Sequence, residues 1–195
     1  GSGLAAVHEL IAAGASVVGL DAGPVAGGAA GRNGGFLLAG LAAFHHEAVR
    51  VHGRERAARA YRLTLAELDR ISVETPAAVS LSGSLRLAAS EQELADCRAQ
   101  LAAMHADGLP VEWYIGPEGE GLLFPRDGTF NPLHRCRSLA RQVLGAGAAL
   151  HERSPAVRIE RGRVATPDGA VRAGTVIVAV DGCLEQLLPE LAGRV

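Results

Sequence analysis

No cysteine-pairing motif occurs in this chain: Cys97, Cys136 and Cys183 are odd in number, far apart and without a C-x-x-C. That argues against a disulfide framework or a zinc site and for free thiols in a reducing compartment. No run approaches the roughly 18 apolar residues of a membrane span, and no charged segment leads an apolar one as in a secretory leader. An excess of positive charge is missing too. With 19 Lys and Arg against 21 Asp and Glu, the formal net charge is −2, so no nucleic-acid partner is expected, since that requires a basic face. No serine sits in a G-x-S-x-G setting, which leaves hydrolase chemistry without support. Internal repeats and low-complexity linkers are also lacking. What is present is a chain of 195 residues, 48% of them hydrophobic, enough for one domain or two small ones. The expectation is a cytoplasmic globular protein acting on a small molecule, its oligomeric state left open.

The first forty residues carry the most organised pattern. A glycine turn at Gly1-Ser2-Gly3 is followed by a helix whose apolar face is Leu4, Val7, Leu10 and Ile11. Gly14 stops it, and the short strand Ser16-Val17-Val18-Gly19-Leu20 ends at Asp21. This is the order of parts that holds a dinucleotide: backbone N–H groups and the helix N-terminus meet the phosphates, and an acid roughly 20 residues on accepts from a ribose. The glycines admit two registers. In one, Gly1, Gly3 and Ala6 form G-x-G-x-x-A; in the other, favoured by the helix phase, Gly3 is the third glycine. In both, the strand that leads into the turn would precede residue 1, so the chain is expected to be a fragment of a longer one. A second glycine-rich loop, Gly27 to Gly35, follows the acid.

Phe36 to Leu41 is apolar and expected to be buried near the ligand. Residues 44–74 have helical periodicity, as one helix or as two broken at Gly53, and Thr75-Pro76 ends them. Residues 79–89 alternate like a strand, with Leu81, Leu85 and Leu87 on one face. Ser90 to Glu93 forms a capping box that opens a helix running to Asp107-Gly108. Val111–Ile115 reads as a strand and 116–128 as loop. From Pro132 a helix runs to Gly145, followed by strands at 148–150 and 157–159 and a hairpin about Pro167-Asp168-Gly169. Thr175 to Val180 is a continuous apolar run, as expected of a buried parallel strand. The fold class is therefore α/β: a Rossmann-like dinucleotide-binding fold with its first strand missing, interrupted by an inserted segment; the resemblance given next makes these a Rossmann-like FAD-binding fold and part of an inserted α+β substrate domain. The expected division is 1–76 and 130–195 for the nucleotide-binding parts and 77–129 for the substrate segment.

The loop Gly27-Gly28-Ala29-Ala30-Gly31-Arg32-Asn33-Gly34-Gly35 resembles the second flavin loop, ASGRNGG, of the FAD-dependent oxidoreductases of the D-amino acid oxidase, glycine oxidase and sarcosine oxidase type. Gly3-Leu4-Ala5-Ala6, Asp21 and Val178-Ala179-Val180-Asp181-Gly182 extend the likeness over nearly the whole chain. Gly83 to Ala88 and Phe130-Asn131-Pro132-Leu133 look like members acting on polyamine-type amines, such as gamma-glutamylputrescine oxidase. Ala30 departs from the usual serine, and Asp21 from the commoner glutamate. The resemblance implies a noncovalently bound FAD and oxidation of a C–N bond of an amine or amino acid by hydride transfer to flavin, giving an imine that hydrolyses. It also implies that the chain is about half of such an enzyme and no catalyst by itself, with the catalytic residues largely outside it; none is named. The implied cofactor-binding set is Gly1, Ser2, Gly3, Asp21, Ala22, Gly31, Arg32, Asn33, Gly34, Gly35, Val157, Ala179 and Gly182. The rivals are an NAD(P)-dependent dehydrogenase and a non-catalytic nucleotide-binding remnant.

Other residues invite chemistry less strongly. His45 and His46, adjacent on a helix, point about 100° apart and do not converge on one metal; no metal site is expected. Trp113 and Tyr114 suit core packing better than a substrate cavity. Glu118 and Glu120 are expected to be solvated without partners.

Overall fold

The computed structural model describes residues 1–194; Val195 and the side chain of Cys183, one of the three expected free thiols, lie outside the described set. In chain order the elements are α1 (Ser2–Ala12), β1 (Val18–Leu20), β2 (Phe36–Leu37), α2 (His45–His52), α3 (Arg54–Glu74), β3 (Val79–Ser80) and β4 (Ser84–Leu87). There follow α4 (Glu91–Ala106), β5 (Glu112–Gly116), β6 (Gly119–Phe124), β7 (Gly128–Phe130) and α5 (Pro132–Gly145). The chain ends with β8 (Ala149–His151), β9 (Arg158–Glu160), β10 (Arg163–Thr166), β11 (Gly169–Arg172) and α6 (Leu184–Leu187). It divides into two compact units, 1–34 with 132–194, and 35–131. No described helix is long and apolar enough to cross a membrane.

In the first unit β1 and β8 pair in parallel, Val18 opposite Ala149 and Leu20 opposite His151. Val7 of α1, Val143 of α5 and Ala148 are buried together, with Ile11, Val17 and Leu150 packed on them. Gly19 lets Leu150 lie directly against the β1 backbone, where a Cβ would collide with it. A separate antiparallel sheet runs β9–β10–β11, its hairpin turning at Pro167-Asp168 as the sequence predicts.

The apolar run 175–180 does not form the expected strand. Its residues alternate, with Val176, Val178 and Val180 half-buried and Thr175, Ile177 and Ala179 exposed. A strand exists through its ladder, and among the described residues none pairs with this run.

In the second unit two three-stranded antiparallel sheets run β2–β7–β3 and β4–β6–β5. Tyr61 of α3, Cys97 and Met104 of α4, and Leu109, Val111, Leu122 and Phe124 form its buried cluster. Gly53, at φ +81°, separates α2 from α3, which settles the expected helical stretch as two helices. At the start of α4, Ser90 Oγ accepts from the Glu93 N–H at 3.2 Å. The Glu93 carboxylate reaches the N–H of Ala89 at 2.7 Å, so the box closes one residue earlier than usual.

Three sequence expectations are corrected here. Phe36 to Leu41 is not a buried run: β2 turns Phe36 outward and Leu37 inward, and Leu38 and Leu41, beyond the strand, are exposed. Residues 79–89 are two strands, not one, interrupted where Gly83 takes φ +77°, so Leu81 does not share a strand face with Leu85 and Leu87. The expected loop 116–128 contains β6, the central strand of its sheet. Its glycines are there for close approach: a Cβ on Gly121 would run into the Arg86 carbonyl oxygen of β4.

Candidate functional site

In the first unit the start of α1, the run at Ala179 and the glycine loop come together. Gly1 is the N-cap of α1; no side chain caps it, and no acid lies in its first turn. The first N–H groups of the helix therefore point outward without an intrahelical or side-chain acceptor, the arrangement that receives an anion. Gly3 lies against Ala179, whose Cβ would stand 3.6 Å from a Cβ on Gly3. Gly1 faces Ala30 of the loop at 3.9 Å by the same measure. Gly1 and Ser2 are exposed and Gly3 half-buried.

The loop is held by its own backbone. Gly31 N–H donates to Gly28 O at 3.2 Å and Arg32 N–H to Ala29 O at 3.1 Å. The Asn33 amide donates to Ala30 O at 3.0 Å and Ala29 O at 3.3 Å. Gly31 is required by packing, because a Cβ would meet the carbonyl oxygen of Ala26. Arg32, Asn33 and Gly34 are exposed. Gly35 belongs to the second unit, at φ +69°, and its carbonyl accepts from Phe130 N–H at 2.7 Å.

Asp21 follows β1 and is exposed, as is Ala22. One Asp21 carboxylate oxygen accepts from Gly23 N–H at 2.9 Å, which fixes the side chain's direction and leaves the other oxygen for a ligand. The backbone around it is tied to the residues after β8. Asp21 N–H donates to His151 O at 2.9 Å, Ser154 N–H donates to Asp21 O at 2.8 Å, and Arg153 N–H donates to Gly23 O at 3.1 Å. Glu152 accepts from Val25 N–H at 2.5 Å. Sequence reading passed over Glu152 and Ser154; the only signal was a polar cluster directly after a short strand. Val157 is exposed, but its N–H is already spent on Ala165 O at 2.9 Å, leaving its carbonyl and side chain. Asp181 takes φ +51° and Gly182 has open space about it.

Other candidates are absorbed by structure. His45 is buried, and its Nε2 lies 2.7 Å from Asp107, which also pairs with Arg54 Nε at 2.7 Å. His46 Nε2 is 3.8 Å from Asp96. Trp113 packs on the second unit's core. Glu118 is not partnerless: the Tyr114 hydroxyl donates to it, which lowers the carboxyl's pKa and raises the phenol's. Glu120 lies 3.7 Å from Arg98. Cys97 and Cys136 are free thiols, both buried; burial pushes the Cys97 thiol up.

An uncapped helix start, a close glycine contact, a glycine-rich loop and an exposed acid at a parallel strand end define a dinucleotide-binding α/β unit. The model of the DAO family, FAD dependent oxidoreductase, matches residues 1–195. The chain belongs to this family, whose cofactor is FAD. A probable oxidoreductase OrdL of Rhizobium meliloti is 29% identical over 100% of this chain and 50% of its own length. Glycine oxidase from Geobacillus kaustophilus superposes with a TM-score of 0.73 at 21% identity, over 95% of this chain and 54% of its own. L-amino acid deaminase from Proteus vulgaris, lacking its specific insertion sequence, gives a TM-score of 0.73 at 18% identity, over 98% and 54%. The chain spans about half the length of the curated relatives it matches.

Proposed function

We propose that this chain contributes the nucleotide-holding part of an enzyme that oxidises a C–N bond of an amine or amino acid. The observation that carries the proposal is the uncapped start of α1 beside the loop at Ala30, in the same unit as the exposed Asp21. These residues fit FAD: Gly1, Ser2 and Gly3 would offer N–H donors to its pyrophosphate, and Asp21 with Ala22 would meet a ribose. Gly31, Arg32, Asn33, Gly34 and Gly35 would supply the second loop, with Val157, Ala179 and Gly182 completing the cofactor contacts. When bound, the flavin supplies the acceptor for the hydride leaving the substrate carbon. The names glycine oxidase and L-amino acid deaminase among the structural neighbours support an amino substrate. No residue of this chain is assigned as catalytic.

The proposal includes a division of labour, with 1–76 and 130–195 holding nucleotide and 77–129 facing substrate, in a cytoplasmic enzyme. Residues 35–76 pack within the same compact unit as the substrate segment. The test is flavin absorbance retained by the purified chain after desalting, or regained on titration with FAD. A well-folded chain that ignores FAD but binds NAD(P) would replace this reading with the nicotinamide one.

A further inference from the structure

Within the unit 35–131 lies a cavity of about 350 Å³. Much of its wall is apolar, including Phe36, Leu38, Leu41, Ala57 and Phe124. Six side chains with polar atoms also line it: His45, Tyr61, Ser84, Arg86, Gln100 and Asp127. Four of these are committed to protein partners. His45 Nε2 is held by Asp107 at 2.7 Å. Asp127 accepts from Ala39 N–H at 2.9 Å on one oxygen and from the Ser84 hydroxyl at 2.7 Å on the other. Gln100 Oε1 accepts from His45 N–H and from Arg86, both at 3.3 Å, and its amide nitrogen lies 3.4 Å from the Met104 sulfur.

Tyr61 and Arg86 are not so committed. Tyr61 is 4% exposed; its hydroxyl has no hydrogen-bond partner among the described residues and is not sealed off by protein atoms. Its ring is fixed, edge-on to His45 with centroids 5.8 Å apart and pressed against Gly40. Burial, with Asp127 nearby, holds the phenol neutral well above its ordinary range, so it remains a donor. The half-buried Arg86 spends one N–H on Gln100 and lies over the Phe44 ring, 4.6 Å from its centroid. Among the described residues no carboxylate comes within ion-pair distance of it. A partly desolvated cation without an anion is costly, and one anionic ligand would relieve it while giving the Tyr61 hydroxyl an acceptor.

The geometry points to a binding site, inside this unit, for a small monocarboxylic acid: the carboxylate on the Arg86 guanidinium and Tyr61 hydroxyl, a short apolar tail against the aliphatic and phenyl wall. A guanidinium fork matches a carboxylate with two parallel hydrogen bonds. The volume is that of a small-ligand pocket. Asp127 makes the lining unfavourable to a second negative group, which selects a monoacid over a diacid. The site lies wholly within 35–131, so it goes beyond the flavin reading and does not rest on it.

The test is calorimetric titration of the full chain, without flavin, with 3-methylbutanoate and with the uncharged 3-methylbutanamide. The ring signals of Tyr61, one of only two tyrosines in the chain, are followed in parallel by NMR. Saturable binding of the acid is expected, with Tyr61 signals shifting in step. The amide and the Arg86→Gln variant should each bind about tenfold or more weakly, and Tyr61→Phe several-fold more weakly. Arg86→Lys should retain part of the affinity. Absence of saturable binding at millimolar acid would overturn the proposal, as would equal affinity for the amide or an unmoved Tyr61 signal. Should Arg86→Gln fail to fold, the acid–amide comparison and the Tyr61 signal still decide the question. A chain that keeps flavin but ignores the acid sinks this site alone.

Discussion

Three buried side chains, Val7, Val143 and Ala148, make the apolar cluster of the unit formed by 1–34 and 132–194; seven, from Tyr61 to Phe124, make that of the unit 35–131. The first unit's parallel sheet has two strands of three residues each, whereas the second has two three-stranded antiparallel sheets built around β6 and β7. Glycine serves them differently. In the second unit Gly121 and Gly128 let strands approach so closely that a Cβ would strike a neighbouring carbonyl. In the first, Gly28 has nothing within 4 Å and Gly1 has only Ala30 near that limit. The second unit uses these glycines to close its sheets; the first, although Gly19 and Gly31 also answer close contacts, keeps backbone open at the helix start, where a ligand can reach it.

The sharpest break in that comparison comes from substituting glycines. Gly121→Val should abolish cooperative unfolding of the second unit, because the β4–β6 ladder cannot form around a side chain at that point. Gly28→Ala, in extended backbone at φ −95° with open space around it, should leave thermal unfolding unchanged. Circular dichroism melts of the two variants measure both. Equal damage from the two would mean that the open loop is packed in solution.

A smaller contrast lies in the cores. Leu122, fully buried on the central strand β6, should cost about 3 kcal/mol as Leu122→Ala, from lost transfer energy plus the cavity left behind. Val143, equally buried on α5, loses two carbons in Val143→Ala and should cost about 2 kcal/mol. Denaturant titrations with hydrogen-exchange readout assign each loss to its unit. A larger loss at Val143 would show that the smaller core is the tighter one.

Ligand affinity separates the units further. Asp21→Ala removes an exposed carboxylate whose one partner among the described residues is Gly23 N–H, so stability should hardly move. FAD affinity should fall about tenfold, the worth of a hydrogen bond to a charged group. Equilibrium dialysis against FAD gives the ratio. An unchanged affinity would remove Asp21 from the ribose contact.

How far these features were legible in the sequence follows the same division. The α1–β1–Asp21 order was readable because a helical period, a stop glycine and a strand-end acid fall in register, and the structure places each there, with β1 narrowed to Val18–Leu20. The two-helix stretch broken at Gly53 and the hairpin at Pro167-Asp168 were readable for similar local reasons. The strand β6 was not, because Gly119 and Gly121 signal loop locally and only the non-local approach of β4 explains them. The run 175–180 misled in the opposite sense: its composition is that of a buried strand, but pairing is a property of neighbours. Arg86, Tyr61 and Asp127 share no spacing that composition reveals. They line one cavity because β4, α3 and the turn before β7 converge there.

The smallest expected effect concerns the turn of the β5–β6 hairpin, where Gly116 pairs with Gly119. The Tyr114 hydroxyl donates to Glu118 across this turn. That bond is the main cause lowering the Glu118 pKa, followed by a bond to its own backbone N–H. A lowered carboxyl pKa contributes stability above the carboxyl's unfolded-state value, and the contribution is lost as pH falls through the folded-state value. The raised Tyr114 pKa acts at the other end: its contribution is complete below the ordinary phenol range and is lost as pH rises through the folded-state value. Glu118 is exposed and Tyr114 only half-buried, so the effect on overall stability should be slight. In Tyr114→Phe the Glu118 pKa should climb only part of the way to its ordinary value, because the backbone bond remains. Carboxyl-carbon NMR titration resolves this directly. An unmoved Glu118 pKa would show that the tyrosine does not hold it in solution, leaving the turn to its glycines.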